Sequence, residues 1–387
     1  MRLSLCMIVR NEQHFLEEAL ASARPHVEEI VVVDTGSVDD SISIARAAGA
    51  RVVKLPTRKF VEARNLCIES ATGDWILFLD ADERMTGDHL IQLRALAGQE
   101  EFGAWRLDQY NYFGNGLWSS IPILRLFRRH PDVRFEGGFH ENIVPSILQG
   151  GLRIGRSRLI IHHVALGGPD NSLEKRRRNL LRMEAHLKDN PPDARFHALS
   201  SLEYFALGEV ERAFEECRRA LALEPDFERA LRFLGEFLLL QGDLEEARQH
   251  FERIVQTADR GQEMAVLGLA KVAYLAGDVQ AAFDHLDRLF VSGNVGVHDL
   301  INRAVLLSEL GHGTAAFECF ETALGANPYL MDERIYLSGP RYSVHRPGCS
   351  LLPAYPRIGE LQGFWRTVQG DQPADPVPAA RTANAST

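Results

Sequence analysis

Four glycines recur at an almost constant interval in the second half of this 387-residue chain. They are Gly208, Gly242, Gly277 and Gly311, and the intervals are 34, 35 and 34 residues. Alanines keep the same spacing at Ala213, Ala247, Ala282 and Ala316. The apolar residues between them follow helical spacing. A unit of this length is a helix pair that cannot bury its apolar face alone, so the period predicts an all-helical solenoid of stacked copies.

These small residues stay in phase through about four copies, which is typical of tetratricopeptide repeats. We predict a repeat domain over residues 194–330. The segment 169–193 is expected to be a helical linker, because its helical pattern stops at Pro191 and Pro192. Residues 331–369 form a C-terminal segment that could pack on the repeats. The tail 370–387 is rich in Pro and Ala without periodicity and is predicted to be disordered.

The first half of the chain alternates between strand-like and helix-like segments. The strand-like segments are "LSLCMIV", "EIVVVD", "RVVKL" and "WILFLD". Strands that alternate with helices over short connections predict a mostly parallel sheet with helices on both faces. The strand-rich stretch after residue 100 is expected to complete the same unit. We therefore predict a Rossmann-like α/β domain over residues 1–168, followed by the all-α repeats.

Composition and charge exclude several classes of protein. The net charge of −10 argues against a nucleic-acid partner. The five cysteines show no metal-binding or disulfide spacing, which fits a reducing cytoplasm. No apolar run approaches the roughly 20 residues of a membrane helix, so no integral membrane segment is expected. The chain also lacks GxxxxGK[ST] and GxGxxG, which disfavours P-loop and dinucleotide chemistry.

Acidic residues follow two of the predicted strands. Asp34 ends "EIVVVD", and Asp80 and Asp82 follow the apolar run of "WILFLDADE". A lone acid in such a place often only caps a turn or a helix. Ligands of an open parallel sheet, however, bind beyond the carboxyl ends of its strands. Two neighbouring carboxylates repel each other unless a cation such as Mg²⁺ or Mn²⁺ balances them. Glu83 is expected to be a loop or helix-start acid instead.

Three segments carry a resemblance to a known family. "LSLCMIVRNE", "EIVVVDTGSVDDS" and "EARNLCIESATGDWILFLDADE" follow one another in an order and spacing that resemble family-2 glycosyltransferases of the GT-A type. The resemblance covers residues 2–168. Fusion to tetratricopeptide repeats is similar to a bacterial subgroup that includes peptide S-glycosyltransferases. The resemblance implies a nucleotide-sugar donor, typically a UDP-sugar, and inverting, metal-dependent transfer.

The same resemblance implies roles for individual residues. Asp34 would contact the uridine, and Arg64 would lie near the nucleotide. Asp80 and Asp82 would be the two acids of the metal site. Asp80 would mainly face the ribose or a metal-bound water, and Asp82 would bind the metal that bridges the diphosphate. The nucleotide pocket would be lined by Val9, Arg10, Asn11 and Glu12.

The general base and a third metal ligand are less sharply indicated. Glu141 in "RFEGGFHENI" is the candidate base, with Asp108 and Glu136 as alternatives. His162 or His163 would supply the third ligand. Strand alternation sends these two side chains to opposite faces, and spacing to "KRRRN" favours His163. The basic stretch "LRLFRRHPDVR" is expected to be a solvated face, with steering of phosphates as the alternative.

The repeats leave the acceptor open. They could recruit a peptide or protein acceptor on a concave surface. They could also serve complex assembly, including a homodimer, while the acceptor is a saccharide or a lipid-linked sugar. A third hypothesis is a scaffold protein with a non-catalytic nucleotide-sugar domain. The presence of Asp34, Arg64, Asp80 and Asp82 favours an active transferase.

Overall fold

The computed structural model describes residues 1–57, 59–114, 117–137, 141–164, 172–257, 262–291 and 295–331. The predicted C-terminal segment, from residue 332 onward, and the predicted disordered tail lie outside the described residues. No helix in the described ranges is both long and apolar enough to cross a membrane.

One eight-stranded sheet organises the N-terminal domain in the order β3-β2-β1-β4-β7-β6-β8-β5. The strands are β1 (Leu3–Val9), β2 (Glu29–Asp34), β3 (Arg51–Lys54), β4 (Trp75–Phe78), β5 (Glu83–Arg84), β6 (Ala104–Gly114), β7 (Leu117–Arg128) and β8 (Ile154–His163). Strands β1 to β4 pair in parallel, as do β6 and β8. Strand β7 runs antiparallel to both β4 and β6, and β5 runs antiparallel to β8. The sheet is therefore mixed and mostly parallel, as in the GT-A fold.

Five helices accompany this sheet. They are α1 (Leu16–Ala23), α2 (Ser41–Ala47), α3 (Phe60–Ser70), α4 (Gly87–Ala97) and α5 (Val144–Gln149). Two apolar clusters divide the core. One joins the sheet to α1 and α4, and the other joins it to α3 and α5. Strands β1, β2 and β4, predicted from continuous apolar runs, are buried by these two layers, whereas the edge strand β3 is only partly buried.

The C-terminal half is helical. After α6 (Ser172–Asp189), the described residues form four helix pairs: α7 (Ala194–Ala206) with α8 (Val210–Leu223), α9 (Glu228–Gln241) with α10 (Leu244–Thr257), α11 (Glu263–Leu275) with α12 (Val279–Val291), and α13 (Val297–Glu309) with α14 (Gly313–Ala326). A 3₁₀ turn follows over Pro328–Met331. The four periodic glycines have φ values of +81° to +89°. They end the first helix of each pair in a left-handed turn that favours glycine, which explains their period.

The two halves share a core. Tyr110, Tyr112 and Trp118 of the sheet belong to one apolar cluster with the helices α11 to α14. The end of the sheet that carries β6 and β8 is thus packed against the last repeats.

Candidate active site

Asp80 lies just beyond β4 and faces two arginines. Its Oδ1 accepts a hydrogen bond from Arg64 Nη2 at 3.1 Å, and its Oδ2 accepts one from Arg125 Nη2 at 2.5 Å. Arg64 comes from α3 and lies over the rings of Phe78 and Phe135, 4.6 and 5.2 Å from their centroids. Burial works to raise the pKa of Asp80, but the charges of Arg125 and Arg64 outweigh it and hold that pKa well below its ordinary value. Asp80 is therefore ionised.

Glu83 is the fully buried acid of the site. Its carboxylate accepts hydrogen bonds from Arg125 Nη2 at 2.7 Å, from the backbone N–H of Asp80 at 2.9 Å, and from Gln109 Nε2. Burial, with the nearby charge of Asp80, raises its pKa despite Arg125. The prediction that Glu83 is a loop or helix-start acid is wrong, because the residue lies in the short strand β5 and has no exposed surface.

Arg125 is the residue of this site that the sequence did not single out. The pairing of β6 with β7 passes from Trp105–Leu126 to Arg106–Leu124, so Arg125 is the extra residue of a β-bulge. A bulge re-aims one side chain of a strand. Here Arg125 bridges two carboxylates with only 11% of its side chain exposed. Arg125 does not belong to a solvated basic face. In the sequence, only its place between the apolar residues Leu124 and Leu126 could have indicated this.

The arginines change the expected charge balance. The sequence suggested that a cation must offset Asp80 and Asp82 together. In the structure, Arg64 and Arg125 offset Asp80 and Glu83. Among the described residues, no arginine pairs with Asp82.

Asp82 pairs with His163 instead. His163 Nε2 lies 3.1 Å from Asp82 Oδ2, and Nδ1 lies 2.7 Å from Asn111 Oδ1. Burial lowers the pKa of His163, but the hydrogen bond and charge of Asp82 outweigh it, so the pKa is raised. With both ring nitrogens facing acceptors, the protonated imidazole fits this arrangement.

The Asp82–His163 pair also suits a divalent cation. A metal would replace the Nε2 proton, and the Asn111 contact would fix the ring as ligating histidines are usually fixed. The two atoms lie 3.1 Å apart, so both could bind the same ion. Within the described residues, no three His, Cys, Asp or Glu side chains converge on one point. The chain thus offers two ligands, and Mg²⁺ or Mn²⁺ commonly completes its shell with waters and phosphates.

His162 lies on the other side of the strand. Its Nδ1 is 2.7 Å from the hydroxyl of Tyr112, and its ring centroid is 4.5 Å from that of Tyr329. Burial, with the nearby His89 and Arg84, lowers the pKa of His162 to about 3. His162 is therefore neutral and packed against the repeats, and it is not placed to ligate a metal beside Asp82.

The residues predicted to bind the nucleotide lie where β1 and β2 end. Asp34 is buried, and its carboxylate accepts hydrogen bonds from the backbone N–H groups of Gly36 at 3.1 Å and Ser37 at 3.2 Å. Asp34 thus holds the turn that follows β2. This is the structural role that a strand-end acid often has, and its remaining lone pairs stay available to a ligand.

The segment after β1 is tied to that turn. Asn11 has a φ of +58°, and its Oδ1 accepts from the backbone N–H of Val38 at 2.9 Å. The backbone carbonyl of Val9 accepts from Thr35, and the backbone N–H of Glu12 donates to Ser41. These contacts tie Val9 and Asn11 to the turn that follows Asp34, and Glu12 to Ser41; that the segment lines a nucleotide pocket stays a prediction.

The three candidate bases lie in different surroundings. Asp108 is 1% exposed and pairs with Arg158 at 3.0 Å and Arg156 at 3.6 Å, so its charge is already offset. Glu136 pairs with Arg134 at 3.2 Å.

Glu141 is half-buried in the loop that the Glu136–Asn142 bridge closes. Among the contacts of the described residues, none joins Glu141 to Asp80, Asp82 or His163. The structure therefore does not bring Glu141 into the acidic cluster.

Comparison with known proteins agrees with this geometry. The family model for glycosyl transferase family 2 matches residues 4–163, and the tetratricopeptide-repeat model matches residues 204–265. A "TPR repeat-containing protein" of Synechococcus elongatus is 29% identical over 84% of this chain and 76% of its own length. The glycosyltransferase SunS of Bacillus subtilis is 27% identical over 60% of this chain and 56% of its own length.

This chain is also similar, at 20% sequence identity, to a solved structure of glucosyl-3-phosphoglycerate synthase from Mycobacterium tuberculosis. That structure contains Mn²⁺, UDP and glucosyl-3-phosphoglycerate. The TM-score is 0.36, with 45% of this chain and 74% of that chain covered. The family match spans the sheet with its acidic cluster, and the repeat match spans helix pairs of the solenoid. Residues 4–163 therefore match glycosyl transferase family 2, and this region is followed in the chain by a match to tetratricopeptide repeats.

Proposed function

We propose that this protein is a metal-dependent, inverting glycosyltransferase that moves a sugar from a UDP-sugar to an acceptor. The observation that carries the proposal is the Asp82–His163 pair, 3.1 Å apart and supported by Asn111, beside an Asp80 that two arginines hold. Both pairs lie within the part of the chain that matches the family model for glycosyl transferase family 2.

Asp82 and His163 would hold Mn²⁺ or Mg²⁺. When bound, the metal neutralises the diphosphate leaving group as the glycosidic bond breaks. Asp80 orients rather than ligates, because Arg64 and Arg125 already face both of its oxygens. Each oxygen keeps a further lone pair that can accept a hydrogen bond from a ribose hydroxyl or a water.

Other residues bind the nucleotide and activate the acceptor. Asp34 contacts the uridine, and Val9, Asn11 and Glu12 line the pocket around it. Arg64 lies near the nucleotide. Glu141 is the proposed base that removes the acceptor proton, since an inverting transfer needs such a base.

The acceptor is proposed to be a peptide or protein recruited by the repeats. Stacked helix pairs form a concave surface suited to an extended peptide, and the domain order is similar to that of peptide S-glycosyltransferases. A saccharide or lipid-linked acceptor, with repeats that serve assembly or a homodimer, is the alternative. The proposed location is the cytoplasm, which fits the free thiols of Cys6, Cys67 and Cys217.

Titration of UDP with and without Mn²⁺ tests the proposal in the full chain. We expect Mn²⁺ to tighten UDP binding about tenfold or more, which corresponds to about 1.4 kcal/mol. Asp82→Asn should abolish this metal effect and leave the metal-free affinity unchanged. Asp88→Asn, an exposed acid at the start of α4, is the matched control and should behave as wild type.

Two outcomes would count against this function. UDP binding that ignores the metal in the wild-type protein would refute metal-dependent transfer. It would support the scaffold hypothesis, in which the nucleotide-sugar domain is not catalytic. A metal effect that survives in Asp82→Asn would remove Asp82 from the metal site.

A further inference from the structure

The last repeat is joined to the sheet by buried polar contacts. Tyr110 Oη accepts a hydrogen bond from the backbone N–H of Val297, the first residue of α13, at 3.1 Å. Tyr112 Oη lies 3.0 Å from Nδ2 and 3.4 Å from Oδ1 of Asn327, which follows α14. The two tyrosines are 1% and 2% exposed, and Asn327 is fully buried. Since an unmade buried hydrogen bond is costly, these contacts specify one position of the repeat on the sheet.

The neighbouring strand takes part in the same contact. His162 of β8 lies 2.7 Å from Tyr112 Oη, and its ring packs against Tyr329 in the turn after α14. His162 is itself fully buried. Strands β6 and β8 are therefore held from one side by a single group of residues from the last repeat.

The opposite side of the same two strands carries the proposed metal site. In the parallel pairing of β6 with β8, Tyr110 is the partner of His162, and Asn111 is the partner of His163. Alternation along each strand sends successive side chains to opposite faces. Tyr110, Tyr112 and His162 thus contact the repeat. On the other face, Asn111 contacts His163, and His163 contacts Asp82.

The packing of this strand end comes from the repeats. Tyr110, Tyr112 and Ile160 belong to the apolar cluster of α11 to α14. By contrast, Leu107 and Ile161, on the same strands, belong to the cluster of α1 and α4. The repeats therefore cover this face of β6 and β8, while α1 and α4 cover the opposite face.

We propose that the last repeat, defined as α13, α14 and residues 328–331, positions His163 for its metal, with Tyr112 as the positioning residue. The glycosyltransferase site is then incomplete without the repeats. This inference rests on the proposed function, because it assigns His163 to a metal. The physical basis is that the Tyr112 hydroxyl contacts both Asn327 of the repeat and His162 of β8. His163 is the residue that follows His162 in that strand.

Tyr112→Phe in the full chain tests this coupling, because it keeps the ring and removes only the hydroxyl. Tyr274→Phe is the matched control. Its hydroxyl contacts Glu309 at 2.6 Å between α11 and α13, within the solenoid. We expect the Mn²⁺ affinity of the UDP complex, measured by calorimetry, to fall about threefold to tenfold in Tyr112→Phe, as for the loss of one buried hydrogen bond. It should stay within about twofold of wild type in the control.

A second readout needs no metal. Hydrogen exchange of the amides of residues 159–163 should be about fivefold faster in metal-free Tyr112→Phe than in wild type, because the Tyr112 hydroxyl contacts His162 at the end of β8. Exchange should be unchanged in Tyr274→Phe, because the Tyr274 hydroxyl contacts Glu309 within the solenoid. Tyr110→Phe, which removes the acceptor of the Val297 N–H, should shift both readouts in the same direction.

Three results decide the matter. Unchanged exchange and unchanged Mn²⁺ affinity in Tyr112→Phe would overturn the inference, even if its thermal stability falls as in the control. Faster exchange with weaker Mn²⁺ binding supports it. If Mn²⁺ does not change the UDP affinity of the wild-type protein, the proposed function and the assignment of His163 to a metal both fail. The exchange experiment then shows separately whether the repeat holds β8.

Discussion

Replacing Arg125 by Met tests the electrostatic core of the site. The substitution keeps an unbranched apolar stem and removes the guanidinium with its charge and all of its donors. Glu83, which has no exposed surface, would lose its ionic partner, and Asp80 would retain Arg64. Removal of one partner of a buried ion pair costs about 3–5 kcal/mol, because the other charge is left uncompensated.

We take the lower figure because 32% of the Asp80 side chain is exposed, so solvent screens part of its charge. A loss of about 3 kcal/mol lowers the melting temperature of a domain of this size by about 6–12 °C. Scanning calorimetry of the full chain measures this shift. Arg128→Met is the matched control on the same strand. Its guanidinium lies over the Trp75 ring, 5.4 Å from the centroid, and the loss should be about 1 kcal/mol or less.

The double variant Arg125→Met, Glu83→Gln separates charge from packing. The amide of Gln keeps the acceptor for the Asp80 backbone N–H and removes the buried charge. We expect it to recover at least about 1 kcal/mol relative to Arg125→Met alone. Two findings would refute the reasoning: a loss in Arg125→Met no larger than in Arg128→Met, or a double variant less stable than the single one.

Two further predictions concern the base and the solenoid. Glu141→Gln should lower metal-dependent hydrolysis of the sugar donor by about 10²-fold or more and leave UDP affinity unchanged. Glu136→Gln is the control. Equal hydrolysis rates in the two variants would assign the role of base to another acid. Gly268→Ala should destabilise the repeats by about 1–3 kcal/mol, because its Cβ would lie 2.5 Å from the Phe251 ring. Gly313→Ala is the control, because a Cβ at this position would have no atom within 4 Å, and its melting temperature should be unchanged or slightly higher. An equal loss of stability in Gly268→Ala and Gly313→Ala would contradict the packing argument.

Much of the architecture could be predicted because its signals are local. The 34-residue period indicated the solenoid, since the left-handed turn after each first helix favours glycine wherever the unit recurs. Continuous apolar runs indicated buried strands, and the acids after them indicated which edge of the sheet carries a site. The preference for His163 over His162 also came from local spacing and strand alternation, and His163 is the one that lies beside Asp82.

The partners of these residues could not be predicted in the same way. Arg125 reaches Asp80 only because a β-bulge in β7 re-aims it, and Glu83 is buried only because β5 pairs with β8. Neither the bulge nor this pairing leaves a local pattern. The expectation that a cation balances Asp80 therefore missed the two arginines.

The sequence by itself determined the elements of this protein, their order and the residue types at the strand ends, because spacing along the chain decides which side chains share a face. The tertiary structure decided which charges meet and which strand end the repeats cover. Those contacts depend on the register of strands and helices far apart in the chain. Asn111 and Tyr112 show the difference: adjacent in sequence, one faces His163 and the other faces the last repeat.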